Sequence, residues 1–210
     1  MSLTACSLCG GPIPDNPADP GDALSDEHVP ALQFYPKSIR PELRSRLWKV
    51  PSHRRCNGSY QKDEDYFYHR CYPLVGVQNE SMGNVILNDI GRRAKKPQSK
   101  AIIRQMLKEC RQVSPGGIIL PPGMIRVEYD VRRIQRVALK VGQCLFYRDH
   151  QRFMPRENCR HVELCEKPSN LQEAFALLVS STDRRAVEAS VFSYWHHDVD
   201  GLHSEVDPIV

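Results

Sequence analysis

The chain has 210 residues, 40% hydrophobic and 26% charged, with a formal net charge of +4, which suits one globular domain, or two small ones, able to bury a core unaided. No apolar run approaches the roughly 18 residues that span a bilayer, and the opening MSLTACSLCGG lacks the basic and apolar regions of a secretory signal, so no membrane partner and a cytoplasmic location are expected. In a reducing compartment the eight cysteines argue against a disulfide framework and for metal binding or simple burial.

Residues 1–11 read as a knuckle, with Cys6 and Cys9 two apart and Gly10 and Gly11 permitting the turn that aims both sulfurs at one ion. The Pro- and Asp-rich residues 12–24 predict a loop. A short strand is expected from Leu24, ending at Pro30 with His28 near its end, then an irregular stretch punctuated by Pro36 and Pro41. A second strand over Leu47–Val50 is closed by Pro51, and a helix starts at Asn57, carries Tyr60, Phe67 and Cys71 on one stripe, and ends at Pro73. Helical patterning returns over Asn79–Arg111, split by Pro97. A turn-rich linker, Val113–Gly123, and a strand-like Met124–Tyr129 come next. Val131, Ile134, Val137, Val141, Cys144 and Leu145 then mark an amphipathic helix that also carries Arg132, Arg133, Arg136 and Lys140, facing nucleic acid or water. Arg160–Cys165 and Ala189–His196 are strand-like, with a helix over Asn170–Val179 between them. His196, His197, Asp198 and His203 near the end suggest an exposed edge more than a metal site. The fold class expected is α+β, with residues 1–74 as one unit and 75–210 as a helical to α/β region for nucleic-acid binding or assembly.

Charge is unevenly spread. Asp15, Asp19, Asp22, Asp26 and Glu27 make the early chain acidic, while Lys37, Arg40, Arg44, Arg46, Lys49, Arg54 and Arg55, and later Arg92, Arg93, Lys95, Lys96, Lys100, Arg104, Lys108 and Arg111, form basic clusters. Cations flanking an acidic pocket suit a phosphodiester substrate, and they equally suit solvated helix faces.

Cys56 follows His53 at the spacing that separates Cys6 from Cys9, and two such pairs make a four-ligand site for a structural zinc. Four protein ligands leave no position for water, so the zinc clips the hairpin and helix and holds Glu27 and His28 opposite Asn57. A neutral imidazole beside a hard divalent ion held by oxygen ligands suits phosphodiester hydrolysis. Cys71, Cys110, Cys144, Cys159 and Cys165 show no such spacing and read as small buried side chains.

The order CxxC, Glu27-His28-Val29-Pro30, Val50-Pro51 with His53 and Cys56-Asn57, then Lys62-Asp63-Glu64 and Tyr66-Phe67 resembles the HNH endonuclease family over roughly residues 5–70. The resemblance implies a ββα-metal fold with His28 as general base and with Glu27 and Asn57 as ligands of a catalytic Mg²⁺ or Mn²⁺. It also implies Lys62 at substrate phosphate, and Arg54 and Arg55 are basic residues placed to meet the same phosphate. Glu27 stands where many members carry Asp, and His53 where many carry Cys. Asp63 and Glu64 are expected to cap and solvate the helix. The implied activity is cleavage of DNA, double-stranded in preference to RNA, in a bacterial or phage-type setting such as mobile-element defence, and the bounds are compatible with a homo-oligomer. The alternative is a non-catalytic zinc module that binds nucleic acid or protein through the same knuckles. A nuclease acting on RNA is a third, weaker expectation.

Overall fold

Two short strands with buried faces set the frame. In the computed structural model, which describes residues 4–44, 47–78, 80–113, 116–117, 119–122, 126–155, 184–187 and 192–195, β1 (Leu24–Val29) pairs antiparallel with β2 (Trp48–His53). Glu27 lies opposite Val50, and His28 opposite Lys49. Successive side chains of a strand alternate faces, so Val29 and Val50 turn into the core. β2 runs through Pro51 to His53 instead of closing at Pro51. In a two-stranded sheet each strand is an edge, where the absent N–H of proline is tolerated, and the Pro51 carbonyl accepts from the amide of Ser7 at 2.9 Å. Loop 12–24 holds a 3-10 turn at Pro20–Asp22, and the connection between the strands carries a second one at Leu32–Phe34 and the short α1 (Arg40–Leu43).

The helix expected from Asn57 begins earlier and is broken. α2 (Arg54–Gly58) starts as soon as β2 ends, with extended His53 at its N-cap position. That turn brings Cys56 back towards the knuckle. A break at Ser59 and Tyr60 sends the Tyr60 ring into the core before α3 (Gln61–Gln78) begins. α3 continues through Pro73, although proline there leaves the His69 carbonyl without its i+4 donor; packing against its neighbours outweighs that cost. α4 (Glu80–Ala94) and α5 (Pro97–Glu109) divide at Pro97, which takes the first helical position, where its missing N–H costs nothing. Of the strand-like Met124–Tyr129, β4 (Arg126–Val127) pairs with β3 (Cys110–Arg111). α6 (Val131–His150) is capped by Asp130, whose carboxylate accepts from the Arg132 and Arg133 amides.

α3 is the central element and packs on α4, α5 and α6. One core joins Cys6, Leu8 and Ile13 of the knuckle region, Val29 and Val50 of the hairpin, Tyr60, and Cys144 and Tyr147 of α6. A second gathers Tyr66, Ile102 and Ile134. The expected boundary after residue 74 falls inside α3. By its contacts the chain divides into residues 1–162 and 163–210, and in the latter β5 (Arg184–Val187) pairs antiparallel with β6 (Phe192–Trp195). The expected elements at Arg160–Cys165 and Asn170–Val179, and the residues His196, His197, Asp198 and His203, lie outside the described residues. No described helix is long and apolar enough to cross a membrane.

The basic face of α6 departs most from expectation. Val131 is exposed, whereas Arg133 and Arg136 bind Asp63, and Lys140 is buried against Glu27 and Glu64. Lys140 is buried and Arg133 is largely covered, while Arg136 stays partly exposed, because Asp63 and Glu64 in the first turn of α3, with Glu27 of β1, supply their carboxylates. For the same reason Asp63 and Glu64 are not solvated, and Glu64 is buried.

Candidate metal centre and catalytic cleft

The knuckle is held by its own backbone. The Cys6 amide donates to the Gly11 carbonyl (2.9 Å) and the Gly10 amide to the Cys6 carbonyl (2.8 Å). Gly10 has φ +75°, and a Cβ there would meet the Phe153 ring at 2.6 Å, so both backbone and packing require glycine. β2 and α2 deliver the other two groups. The ligand atoms of Cys6, Cys9, His53 and Cys56 all lie within 4.8 Å of one another. His53 Nδ1 is 3.4 Å from Cys9 Sγ and 3.7 Å from Cys56 Sγ, and His53 Nε2 is 3.1 Å from the Pro12 carbonyl oxygen. A proton on Nε2 donated to Pro12 leaves Nδ1 as the lone-pair donor, the outer contact that orients a metal-binding imidazole.

The thiols share one electrostatic environment. Burial first, and then the charges of Cys6 and Cys9, push the Cys56 thiol up to about 12. At Cys9 burial raises the pKa, but hydrogen bonds from the Gly11 backbone and from the Cys6, His53 and Cys56 side chains outweigh it and leave the thiol below its ordinary value. Three sulfurs and one imidazole nitrogen at this separation could hold a tetrahedral zinc.

A cleft of about 330 Å³ opens on the other side of α2, and Glu27, His28, Arg54 and Asn57 line it together with Ser25 and Glu64. Asn57 Nδ2 donates to Ser25 Oγ (3.3 Å). His28 Nε2 is buried and has no hydrogen-bond partner among the described residues. Burial holds this imidazole below its usual pKa, the Lys49 and Arg44 charges add to the effect, and Asp26 opposes it. Arg55 stands outside the cleft, paired with Asp22 at 2.8 Å. Lys62 is exposed outside it as well, and its carbonyl accepts from Arg133.

Under the cleft lies a cluster the sequence did not suggest. Lys140 Nζ is 2.9 Å from Glu27 Oε1 and also binds Glu64 Oε1, while Gln33 donates to Glu64 Oε2. Burial pushes the Glu27 carboxyl up to about 7; Lys140 counteracts this and Glu64 reinforces it. For Lys140, burial favours the neutral amine, but the two carboxylates overcome it and raise its pKa. One signal for Lys140 was available: it falls on the spacing of Ile134, Val137, Cys144 and Tyr147, a lone cation in an apolar stripe. Gln33 carried no such signal.

No protein-family model, curated protein or solved structure matches this chain.

Proposed function

We propose that the chain is a metal-dependent endonuclease of the HNH type that hydrolyses DNA phosphodiester bonds in the cleft beside the Cys6, Cys9, His53 and Cys56 site. The observation that carries this reading is the buried, unpartnered Nε2 of His28 beside Glu27, Arg54 and Asn57. An imidazole kept neutral by burial and neighbouring cations accepts a proton from water at neutral pH. The carboxylate of Glu27 and the amide oxygen of Asn57 are the hard oxygen donors that suit Mg²⁺ or Mn²⁺. When bound, that ion supplies positive charge to the scissile phosphate and the leaving oxygen. Arg54 opens on the same cleft and meets the phosphate. A zinc on the thiol and imidazole set fixes the start of α2, and with it Asn57, against β1.

Plasmid DNA incubated with the protein and Mg²⁺ or Mn²⁺ tests the reading. Wild type is expected to nick or cut. His28→Ala is expected to lose about 10²–10⁴-fold in rate at unchanged zinc content and fold. Failure of the wild type to cut with either ion, or full activity in His28→Ala, would overturn it. A second reading, a non-catalytic zinc module, draws on the Lys140 ammonium that already neutralises Glu27 and Glu64; it predicts DNA binding without cleavage.

A further inference from the structure

A second groove, of about 280 Å³, adjoins the catalytic cleft and shares Gln33 and Gln61 with it as wall residues. Lys37, Arg40, Arg92, Arg93 and Lys96 line it against a single lining carboxylate, Asp65. Part of this charge is tied up in the fold. Asp89 binds Arg92 and Arg93 (2.6 Å to Arg93 Nε) and accepts from the Lys37 amide (3.2 Å). Burial would raise the Asp89 carboxyl, but these donors bring it down to about 2, so it stays ionised. The Arg93 guanidinium stacks 3.8 Å from the Tyr68 ring centroid and lies 3.7 Å from Asp65.

The remaining cations are only partly offset: Asp65 is shared among Arg93, Lys96 and Arg40, and Asp89 also acts on Arg40. Arg40 donates to the carbonyls of Tyr35 (2.8 Å) and Gln33 (3.3 Å), dipoles that orient it without cancelling its charge. Burial, and then the charge of Arg93, hold its pKa below the ordinary value, as expected where cations crowd. Lys37 and Lys96 are exposed and form no ion pair among the described residues. The positive end of α5, which no side chain caps, opens at Lys96 and adds to the same potential. The groove is therefore an excess of fixed positive charge with hydrogen-bond donors, contiguous with a cleft read as holding a scissile phosphate.

We propose that this groove is a phosphate-binding subsite that receives the DNA backbone next to the phosphate in the catalytic cleft. The identity of the anion rests on the nuclease reading above; the anion preference rests on the groove. Lys37 and Lys96 are the contacts that carry salt-dependent affinity, while Arg92 and Arg93 mainly hold the wall.

The test measures affinity for a fluorescein-labelled DNA duplex of about 20 base pairs by anisotropy between about 50 and 200 mM salt, using the full-length chain carrying His28→Ala so that the duplex stays intact. Adding Lys37→Gln and Lys96→Gln together is expected to flatten the slope of log K against log salt by about 2, because each lost phosphate contact removes about 0.9. The control, Lys100→Gln with Lys108→Gln on the exposed surface of α5 outside the groove, is expected to leave the slope within about 0.5 of the parent. An unchanged slope in the groove variant, equal flattening in the control, or no duplex binding at all would overturn the subsite. Plasmid cleavage by otherwise wild-type protein, run in parallel, separates the two readings. Cleavage with an unchanged slope removes the subsite and leaves the nuclease, whereas a flattened slope without cleavage removes the nuclease and leaves the subsite.

Discussion

His28 and the four knuckle residues carry the sharpest consequences at the scale of single side chains. Cys6→Ser or Cys56→Ser removes one of the four candidate ligands, so bound zinc, measured by atomic absorption, should fall from about one ion per chain towards none. The thermal midpoint should fall with it, and equal zinc in wild type and both variants would dismiss the site. Glu27→Ala and Asn57→Ala should keep zinc and lose cleavage. The pH dependence of His28 has a definite sign. Its folded pKa lies below the unperturbed value of about 6.5, so the imidazole is already neutral at pH 7, as the proposed role of general base requires. Cleavage should rise with pH on an acidic limb below about 6.5 and then level. The same shift means that the unfolded chain binds the proton more readily, so the contribution of His28 to stability is present above about pH 6.5 and is lost as pH falls through its folded pKa. A limb centred above pH 7 would assign the base elsewhere.

Between elements, α6 is bound to the N-terminal hairpin through charge as much as through apolar packing. Lys140, Glu27 and Glu64 have side chains 2%, 4% and 6% exposed, so solvent and salt screen them little. Lys140→Met strands two buried carboxyls and should cost about 3–5 kcal/mol in urea unfolding, with little change when salt is raised. The pair of Arg55 with Asp22 is a contrast: the Arg55 side chain is 59% exposed, and Arg55→Gln should cost less than about 1 kcal/mol. Equal losses in the two variants would mean that the triad is no more than surface decoration. The pairing of Asp63 with Arg133 and Arg136 repeats the pattern one turn towards the start of α6, with rings of Tyr66 and Tyr60 beneath the guanidiniums.

For the whole molecule, the core under the hairpin is built from both ends of the first unit. Cys6, Leu8, Val29 and Val50 share it with Cys144 and Tyr147, so a fragment ending at residue 74 exposes that apolar surface and leaves Glu27 and Glu64 without Lys140. Residues 1–74 alone should show no cooperative urea transition, followed by near-ultraviolet circular dichroism, whereas residues 1–162 should unfold cooperatively. A cooperative, zinc-loaded 1–74 fragment would show that α6 is dispensable.

Local chemistry was enough to mark some features in the sequence. The Cys6, Cys9, His53 and Cys56 set was legible because metal ligands obey a short spacing rule within each pair, and β1 because Pro30 bounds a short run. α5 began where Pro97 required a helix start. Other outcomes depended on partners far along the chain. β2 passes through Pro51 because an edge strand tolerates it, α3 passes through Pro73 because its neighbours hold it, and Arg133, Arg136 and Lys140 of α6, unlike exposed Arg132, pair with Asp63, Glu64 and Glu27. A lysine in an amphipathic helix carries the same sequence signal whether it meets water or a buried carboxylate. Only the packing of α6 on α3 and β1 determined which, since burial and pairing arise from contacts between residues seventy or more positions apart.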